Sequence, residues 1–371
     1  MIRTDAPIAD YGLSWLEGGG AHGEVVFSTR VRLARNLQGS AFAVRAGRED
    51  RARVFEQVRA TLEESDLLGD AALWEVGRLE RLERSLLLER HLVSRELIGP
   101  PDGEAPPSAG LALGREASVG LMINEEDHLR LQALDGGFQL EEAWHRVEGL
   151  DEEIGRLLPY AFHHEFGFLT SCPTNVGTGL RASVLIHLPG LVLTKEISRV
   201  LEGIAQVGLT YRGLYGEGSE VVGNFFQISN QTTLGKSEDD LIDHLAKVVG
   251  KVIDYEKGAR AVLLREAPAV LDDKVWRAYG ILRHARSISF EELMNLLSGL
   301  RLGVTLKLLP TPRVETLNRI MIFAQTAHLE SAAGHRLDEA EADVRRATYV
   351  REMLSADEAG ARSPSGPATA G

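Results

Sequence analysis

The spacing of hydrophobic and polar residues changes along the chain, and this change predicts a mixed α/β part followed by a smaller helical part. Val54, Val58 and Leu62 follow one another at intervals of four residues, which predicts an amphipathic helix over residues 48–64. A second helix, rich in acidic residues, is predicted over residues 138–158. Apolar and β-branched runs predict strands at 24–36, 119–123, 181–188, 209–214 and 221–229.

Strand signals fade beyond about residue 256, where helical spacing continues. Before that point, Ser237 and Asp240 form a capping-box pattern that predicts the start of a helix. The apolar face predicted for this helix consists of Leu241, Leu245, Val248, Val252 and Tyr255. Four more helices are predicted at roughly 269–281, 290–300, 311–329 and 336–354. Residues 356–371 are small, polar and rich in Pro and Gly, so a disordered tail is predicted there.

The composition is that of a protein with a full hydrophobic core, because 44% of the 371 residues are hydrophobic and 26% are charged. A net charge of −13 repels phosphate backbones at long range, so nucleic-acid binding is not expected. The lone Cys172 permits no internal disulfide and fits a reducing compartment. No apolar run approaches the roughly 20 residues that span a bilayer. We therefore expect a cytoplasmic protein that does not contact membranes.

Familiar ligand motifs fail on their context. Residues 18–23 satisfy G-x-G-x-x-G, but a strand-like run follows them where a dinucleotide site needs a helix. Residues 235–237 resemble the end of a P-loop, but no strand leads directly into them, and Ser237 is better explained as a helix cap. The adjacent His163 and His164 lack metal-ligand spacing with a Cys partner. The chemistry must therefore come from other residues.

Short polar motifs at predicted strand ends remain: STRVR (28–32), NEEDHLR (124–130), SCPTN (171–175), RAS (181–183) and RGLYGE (212–217). Arg30 and Arg32 are two residues apart, so both project from one face of a strand. Burying arginines without partners is costly, and a polyanion bound across the sheet would pair them. Any one of these motifs alone is commonly a solvated surface group. Their combination indicates phosphoryl transfer.

These motifs resemble those of the phosphagen (guanidino) kinase superfamily, and within it those of the bacterial protein-arginine kinases. The resemblance is carried by STRVRLARNL, INEEDHLRLQ, LTSCPTNVGTGLRASVLIHLPGLVLT, and the stretch from YRGLYGEGSE to NFFQISNQTTLG. It implies an α+β fold in which helices flank an antiparallel β-sheet. The catalytic domain would cover residues 24–255, after an N-terminal segment (1–23). A small helical C-terminal domain would cover residues 256–355.

The resemblance further implies that arginines bind the phosphates of ATP in place of a P-loop, since a guanidinium binds phosphate oxygens in pairs and stays charged. The implied nucleotide-binding residues are Ser28, Thr29, Arg30, Val31, Arg32, His91, Arg130, Arg181, Ala182, Ser183, Val184, Leu185, Arg212, Gly213, Leu214, Tyr215, Gly216 and Glu217. Mg²⁺ would be bound mainly through the nucleotide, with no dedicated protein site.

The acceptor in this superfamily is a guanidinium, which is a poor nucleophile because it is protonated and delocalised. One carboxylate must remove a proton while another holds the cation. The resemblance assigns the base to Glu126 and the second carboxylate to Glu217, with Cys172 in contact with the guanidinium. All three are expected to be catalytic residues.

Protein arginine is the expected acceptor. Small-molecule phosphagen kinases carry a helical domain before the first arginine motif, whereas here that motif already begins at Ser28. Two alternatives stay open: a kinase for a small free guanidino compound, and a weakly active adaptor that binds phosphoarginine. By family analogy the partners would be substrates with exposed arginines, a Clp-type unfoldase or protease, a stress-response repressor and an activator protein. A homodimer is also compatible with the resemblance.

One motif departs from the family. The family carries an Arg-Asp-x-x-Arg-Ala motif that is interpreted as an allosteric phosphoarginine pocket. Asp343 and Arg346 match it here, but Ala342 stands where the first Arg is expected. We therefore predict a weak or absent response to phosphoarginine.

Overall fold

An eight-stranded antiparallel sheet is the main feature of the chain up to residue 230. The structure is a computed structural model that describes residues 2–4, 6–8, 11–17, 20–65, 67–100, 102–114, 119–213 and 221–362. The strands are β1 (Val26–Arg35), β2 (Ala71–Glu75), β3 (Gly110–Gly114), β4 (Val119–Ile123), β5 (Leu129–Gly136), β6 (Phe162–His163), β7 (Gly167–Phe168), β8 (Leu180–His187), β9 (Leu209–Arg212) and β10 (Phe225–Asn230). The large sheet has the order β2-β3-β4-β5-β1-β8-β10-β9, and β6 pairs only with β7.

Among the described residues, α-helices lie between several of the strands and follow the last strand along the chain. They are α1 (Arg48–Ser65), α2 (Arg81–Glu89), α3 (Arg95–Ile98), α4 (Leu140–Leu157), α5 (Pro189–Leu193), α6 (Ile197–Gln206), α7 (Glu238–Glu266), α8 (Pro268–His284), α9 (Phe290–Thr305), α10 (Val314–Phe323), α11 (Thr326–Ala333) and α12 (Glu339–Arg362). No helix in the described ranges is long and apolar enough to cross a membrane.

The chain divides into two compact units. The first unit consists of Met1–Ile186, Ile197–Glu220 and Phe226–Asp254. The second consists of His187–Glu196, Val221–Phe225 and Tyr255–Gly371. All strand pairs of the large sheet that concern the site below lie in the first unit.

The central strand β1 has two different faces. Thr29, Val31 and Leu33 are fully buried on the face where α4 packs against β1 and β5. Because side chains alternate along a strand, Arg30 and Arg32 project from the opposite face. Helix α4 therefore covers one face of the sheet centre and leaves the arginines on the other.

Several predicted elements need correction. The strand predicted from residue 221 begins only at Phe225, because Gly223 and Asn224 both have positive φ angles of 63° and 59°. The helix predicted over 311–329 is two helices, because Gln325 between α10 and α11 has an extended backbone (ψ 158°).

Helix α7 begins as predicted, since the Ser237 hydroxyl accepts a hydrogen bond from the amide of Asp240. Its predicted apolar face is wrong at Tyr255, which is 58% exposed. The buried stripe continues instead through Glu256 and Arg260, which form a buried ion pair with 2.6 Å between Nε and Oε1. A pattern of apolar residues cannot reveal a stripe that ends in charged ones.

The predicted disordered tail starts too early, because α12 continues to Arg362. Asp357 is buried within this extension and accepts hydrogen bonds from the amide and side chain of Arg313 and from Thr316. These bonds hold the last turns of α12 against the start of α10.

Candidate active site

Arginines from three adjacent strands meet on the face of the sheet that α4 leaves open. Arg32 on β1 lies opposite Gln132 on β5 and opposite Arg181 on β8. Directly opposed residues of antiparallel strands share a face, so these side chains are neighbours. Arg130 joins the same row, since it lies opposite Ala34 on β1. The sheet register thus assembles four arginines, including Arg30, from distant parts of the sequence.

The four positive charges repel one another. The pKa of Arg30 is lowered to about 10, first by burial and then by the charges of Arg130 and Arg181. Burial and the neighbouring arginines also hold the pKa of Arg32 well below its usual value. Among the described residues, Nε of Arg32 has no hydrogen-bond partner. Such a cluster is suited to binding a polyanion, which would relieve the repulsion and supply an acceptor for the Nε of Arg32.

His91 lies beside this cluster. Its pKa is lowered to about 4, first by burial and then by the positive charge of Arg30. The backbone carbonyl of His91 accepts a hydrogen bond from Gln132, the residue opposite Arg32. His91 is therefore neutral at physiological pH, and it adds a hydrogen-bonding ring to the cluster without adding charge.

Alternation along the strands divides the predicted nucleotide-binding stretches. Ser28 and Ser183 share the face of Arg30, as does Leu185, which lies opposite Ser28. The side chains of Thr29, Val31, Ala182 and Val184 are fully buried and project from the other face. Thr29, for example, donates to the carbonyl of Gly137 over 2.7 Å. Only their backbone groups could contact a ligand on the arginine face.

Glu126 occupies an unusual place in the loop between β4 and β5. Every other residue from Val119 to Leu129 is buried, whereas the Glu126 side chain is 46% exposed. The loop turns at Asn124, whose positive φ of 56° an asparagine tolerates better than most residues. Its side-chain amide donates to the carbonyls of Arg51 and Ser108 over 2.8 and 2.9 Å. The loop therefore presents a single carboxylate to solvent from a fixed backbone.

The neighbouring Glu125 is buried and helps to fix the backbone of Glu126. Its side chain is completely buried and accepts hydrogen bonds from Arg130 and from the Ser94 hydroxyl, both at 2.5 Å. Its other oxygen accepts from the amide of Glu126 over 2.7 Å. Arg130 also contacts the Glu126 carboxylate over 3.0 Å. Arg130 thus links the arginine cluster to the exposed carboxylate.

Asp127 links the Glu126 loop to the segment that carries Cys172. This fully buried carboxylate accepts from the Asn36 side chain over 2.7 Å and from the amide of Ser171 over 2.6 Å. The Cys172 thiol is half-buried and lies 3.0 Å from the Thr174 hydroxyl. One carboxylate therefore fixes the backbone next to Cys172 and the backbone next to Glu126. Sequence reasoning missed this role, and it missed Ser94, which no nearby motif marks, and Asn36, although Asn36 lies within STRVRLARNL.

The remaining predicted site residues are placed only in part. Arg212 ends β9, where it pairs with Gln227 of β10, and Gly213 follows it. Leu214, Tyr215, Gly216 and Glu217 lie outside the described residues. The position of the predicted second carboxylate, Glu217, is thus not given by the structure.

Asp343 and Arg346 belong to the second unit. Arg346 is 3% exposed and donates to the carbonyls of Ala324 and Ile288 over 2.9 and 3.0 Å, and it also pairs with Asp343. Ala342 is 3% exposed in an apolar cluster with Leu329 and Leu337. All of these contacts lie within the second unit.

Comparison with known proteins agrees with this geometry. Residues 53–259 match the family described as ATP:guanido phosphotransferase, C-terminal catalytic domain, and residues 268–364 match the protein-arginine kinase McsB C-terminal domain. A taurocyamine kinase from Schistosoma mansoni shares 26% identity and a TM-score of 0.58, covering 70% of this chain and 36% of that one. A lombricine kinase, at 24% identity and the same TM-score, covers 70% and 72% and supports the fold.

Fold and catalytic domain together define an ATP:guanido phosphotransferase. Similarity to curated protein-arginine kinases narrows this class to one family. The one from Symbiobacterium thermophilum is 44% identical over 92% of this chain and 96% of its own length. The one from Bacillus subtilis is 41% identical over 94% and 95%. The chain belongs to the protein-arginine kinase family, and its activity is the ATP-dependent phosphorylation of arginine in proteins.

Proposed function

We propose that the ATP phosphates bind across Arg30, Arg32, Arg130 and Arg181, and that Glu126 removes a proton from the acceptor guanidinium. The exposure of Glu126 alone in a buried loop, in contact with Arg130, is the observation that carries this proposal. A base must reach the proton that it abstracts, and a carboxylate held next to the phosphate-binding arginines meets that condition.

The arrangement would supply positive charge for the phosphoryl group, a base for the proton and side chains that hold the acceptor guanidinium. The guanidinium groups neutralise the charge that develops on the transferred phosphoryl group. Glu126 takes the proton that the attacking guanidinium nitrogen must lose, and the nitrogen lone pair then forms the bond to phosphorus as the bond to the leaving ADP oxygen breaks. Cys172 lies on the loop that Asp127 joins to Glu126, so it is placed to contact the same guanidinium. Glu217 would supply the second carboxylate, and Mg²⁺ would be held mainly by the nucleotide phosphates.

The direct test is incubation of the protein with Mg-ATP and an unfolded protein, followed by mass spectrometry without acid. Phosphoramidate bonds are labile in acid, so acidic handling would hide the product. We expect a mass increase on arginine side chains. A weakly active adaptor would instead bind phosphoarginine without ATP turnover.

The proposed partners and setting follow from the family. We propose that phosphorylation marks proteins for a Clp-type protease and regulates a stress-response repressor in the cytoplasm. An activator protein and a homodimer belong to the same proposal. The link to the protease is tested by a pull-down that uses the phosphorylated or the unmodified form of one substrate as bait. The Clp-type protease should bind only the phosphorylated form.

Arg181→Lys is expected to weaken phosphoryl transfer at least tenfold although the charge is kept. A lysine ammonium cannot form the paired bonds that a guanidinium forms with phosphate oxygens. Steady-state kinetics and ATP titration would measure the loss. Full activity of this variant would make Arg181 a structural residue of the sheet.

Free arginine is expected to be a far poorer acceptor than an unfolded protein, with kcat/KM lower by about 100-fold or more. The proposed site offers Glu126 and Cys172 for the guanidinium, but the binding energy of flanking residues is lost when the acceptor is a single amino acid. Comparable kcat/KM values for the two acceptors would favour the small-guanidino alternative.

Added phosphoarginine is expected to change the activity by less than twofold. Arg346 already donates to two carbonyls and Asp343, and Ala342 cannot contribute a positive charge. Each charge-assisted hydrogen bond to the phosphoryl group is worth about 1.5–3 kcal/mol, so a missing arginine costs at least about tenfold in affinity. Activity measured against rising phosphoarginine tests this, and several-fold activation would contradict it.

A further inference from the structure

The β6–β7 hairpin, which precedes the Cys172 segment in the chain, exposes aromatic side chains. Phe162 is 60% exposed and Phe166 is 50% exposed. The His163 ring stacks on Phe166 with 4.9 Å between centroids and lies 4.5 Å from the His164 ring. Large apolar side chains that are exposed together in one short hairpin mark a surface for interaction, because single exposed ones are ordinary but clusters are not.

The hairpin rests on a rigid base. Phe168 of β7 lies over the Arg35 guanidinium at 3.5 Å and packs edge-on against Phe162, with 5.3 Å between the ring centroids. Arg35 is 1% exposed and forms a two-bond ion pair with Asp151, at 3.0 and 2.7 Å. A buried, fully oriented guanidinium under Phe168 supports the ring against which Phe162 packs, so binding to Phe162 would require little ordering.

The hairpin is also joined to the residues proposed for catalysis. Its base closes through the amide of Leu169, which donates to the carbonyl of Ala161 over 2.9 Å. The Asn36 side chain donates both to the carbonyl of Leu169 and to Asp127, the carboxylate that holds the Cys172 loop. Phe166 and Cys172 are six positions apart in the chain, so they are at most about 20 Å from each other. A peptide with its arginine at Glu126 and Cys172 has neighbouring residues within reach of the hairpin.

We propose that the exposed rings of Phe162 and Phe166 bind an apolar or aromatic side chain of the unfolded polypeptide that carries the acceptor arginine. This inference rests on the proposed function, since it needs the acceptor guanidinium at Glu126 and Cys172. The base of the hairpin is joined to that acceptor site through Asn36 and Asp127, and a free guanidino compound has no side chain that could reach the exposed rings. Unfolded segments expose aromatic residues next to their arginines, whereas folded surfaces rarely do. The net charge of −13 further favours segments with basic residues.

Peptide pairs test the proposal. All peptides carry one arginine and the same net charge in a Gly/Ser background, and in one set Phe replaces Ser two to six residues before or after the arginine. We expect the wild-type enzyme to prefer the best Phe peptide over the Ser peptide by about five- to tenfold in kcat/KM, mainly through KM, because partial burial of one phenyl ring has that effect. The double variant Phe162→Ser with Phe166→Ser should reduce the preference below twofold.

Controls separate the possible causes. Kinetics with the Ser peptide and the Kd for ATP should not change in the double variant, because neither involves the exposed rings. Phe162→Leu with Phe166→Leu should keep most of the preference. The matched control is the double variant Val270→Ser with Trp276→Ser on α8, which removes two apolar side chains of the second unit that are 72% and 53% exposed. This control should leave the preference for the Phe peptide unchanged. An equal preference in the wild type and the Ser double variant, or none in the wild type, would overturn the hairpin proposal. Failure of every peptide to be phosphorylated would overturn the proposed function itself.

Discussion

Glu126→Gln is expected to lower kcat by about 10²–10⁴-fold while the Kd for ATP stays within about twofold. Glutamine keeps the size of the side chain and can still accept a hydrogen bond from Arg130, but it cannot take the proton from the acceptor guanidinium. Since 46% of the side chain is exposed, the substitution should not change the melting temperature. Single-turnover kinetics with an unfolded protein and a separate ATP titration provide the two measurements.

A matched control is available on α4. Glu153 is an exposed glutamate of that helix, and Glu153→Gln removes the same charge without touching the β4–β5 loop. It should retain wild-type kcat. Near-normal turnover of Glu126→Gln would remove Glu126 from the mechanism and would direct attention to Glu217 as the base.

The arginine cluster shows what the sequence can and cannot predict. The two-residue spacing of Arg30 and Arg32 predicts a shared face for both, and the structure confirms it. The position of Arg181 opposite Arg32 depends on β8 pairing with β1, across about 150 residues of intervening chain. Local patterns carry no signal for such pairing, so the sequence could group these arginines only by their common place at predicted strand ends and by the family resemblance.

The β4–β5 loop shows a second limit. Five consecutive polar residues, 124–128, have the composition of an exposed turn, yet only Glu126 is exposed. Burial of the others depends on partners such as Asn36 and Ser171, which the chain supplies from elsewhere. Helical periodicity failed for the same reason at α7, where a buried ion pair continues the packed face.

Asp127→Ala is expected to lower kcat about 100-fold with little change in the Kd for ATP. The substitution removes the acceptor of both the Asn36 side chain and the Ser171 amide, and a buried donor left without a partner costs about 1–3 kcal/mol. The Cys172 loop would then lose its fixed distance from Glu126, and a displacement of about 1 Å can cost 10²-fold in rate. ATP affinity should persist, because the arginines are held by the strands β1, β5 and β8.

A loss of kcat without a loss of ATP affinity distinguishes a positioning role of Asp127 from general destabilisation of the protein. A partly unfolded variant would lose both in proportion to the folded fraction, so the assays are run well below its melting temperature. Asp127→Asn keeps one acceptor oxygen, so its kcat should be at least tenfold higher than that of Asp127→Ala. Asp273→Ala, which removes a carboxylate that is 66% exposed on α8, should have no effect. Wild-type kcat in Asp127→Ala would show that the two loops keep their distance without this carboxylate, and that Asp127 contributes to stability alone.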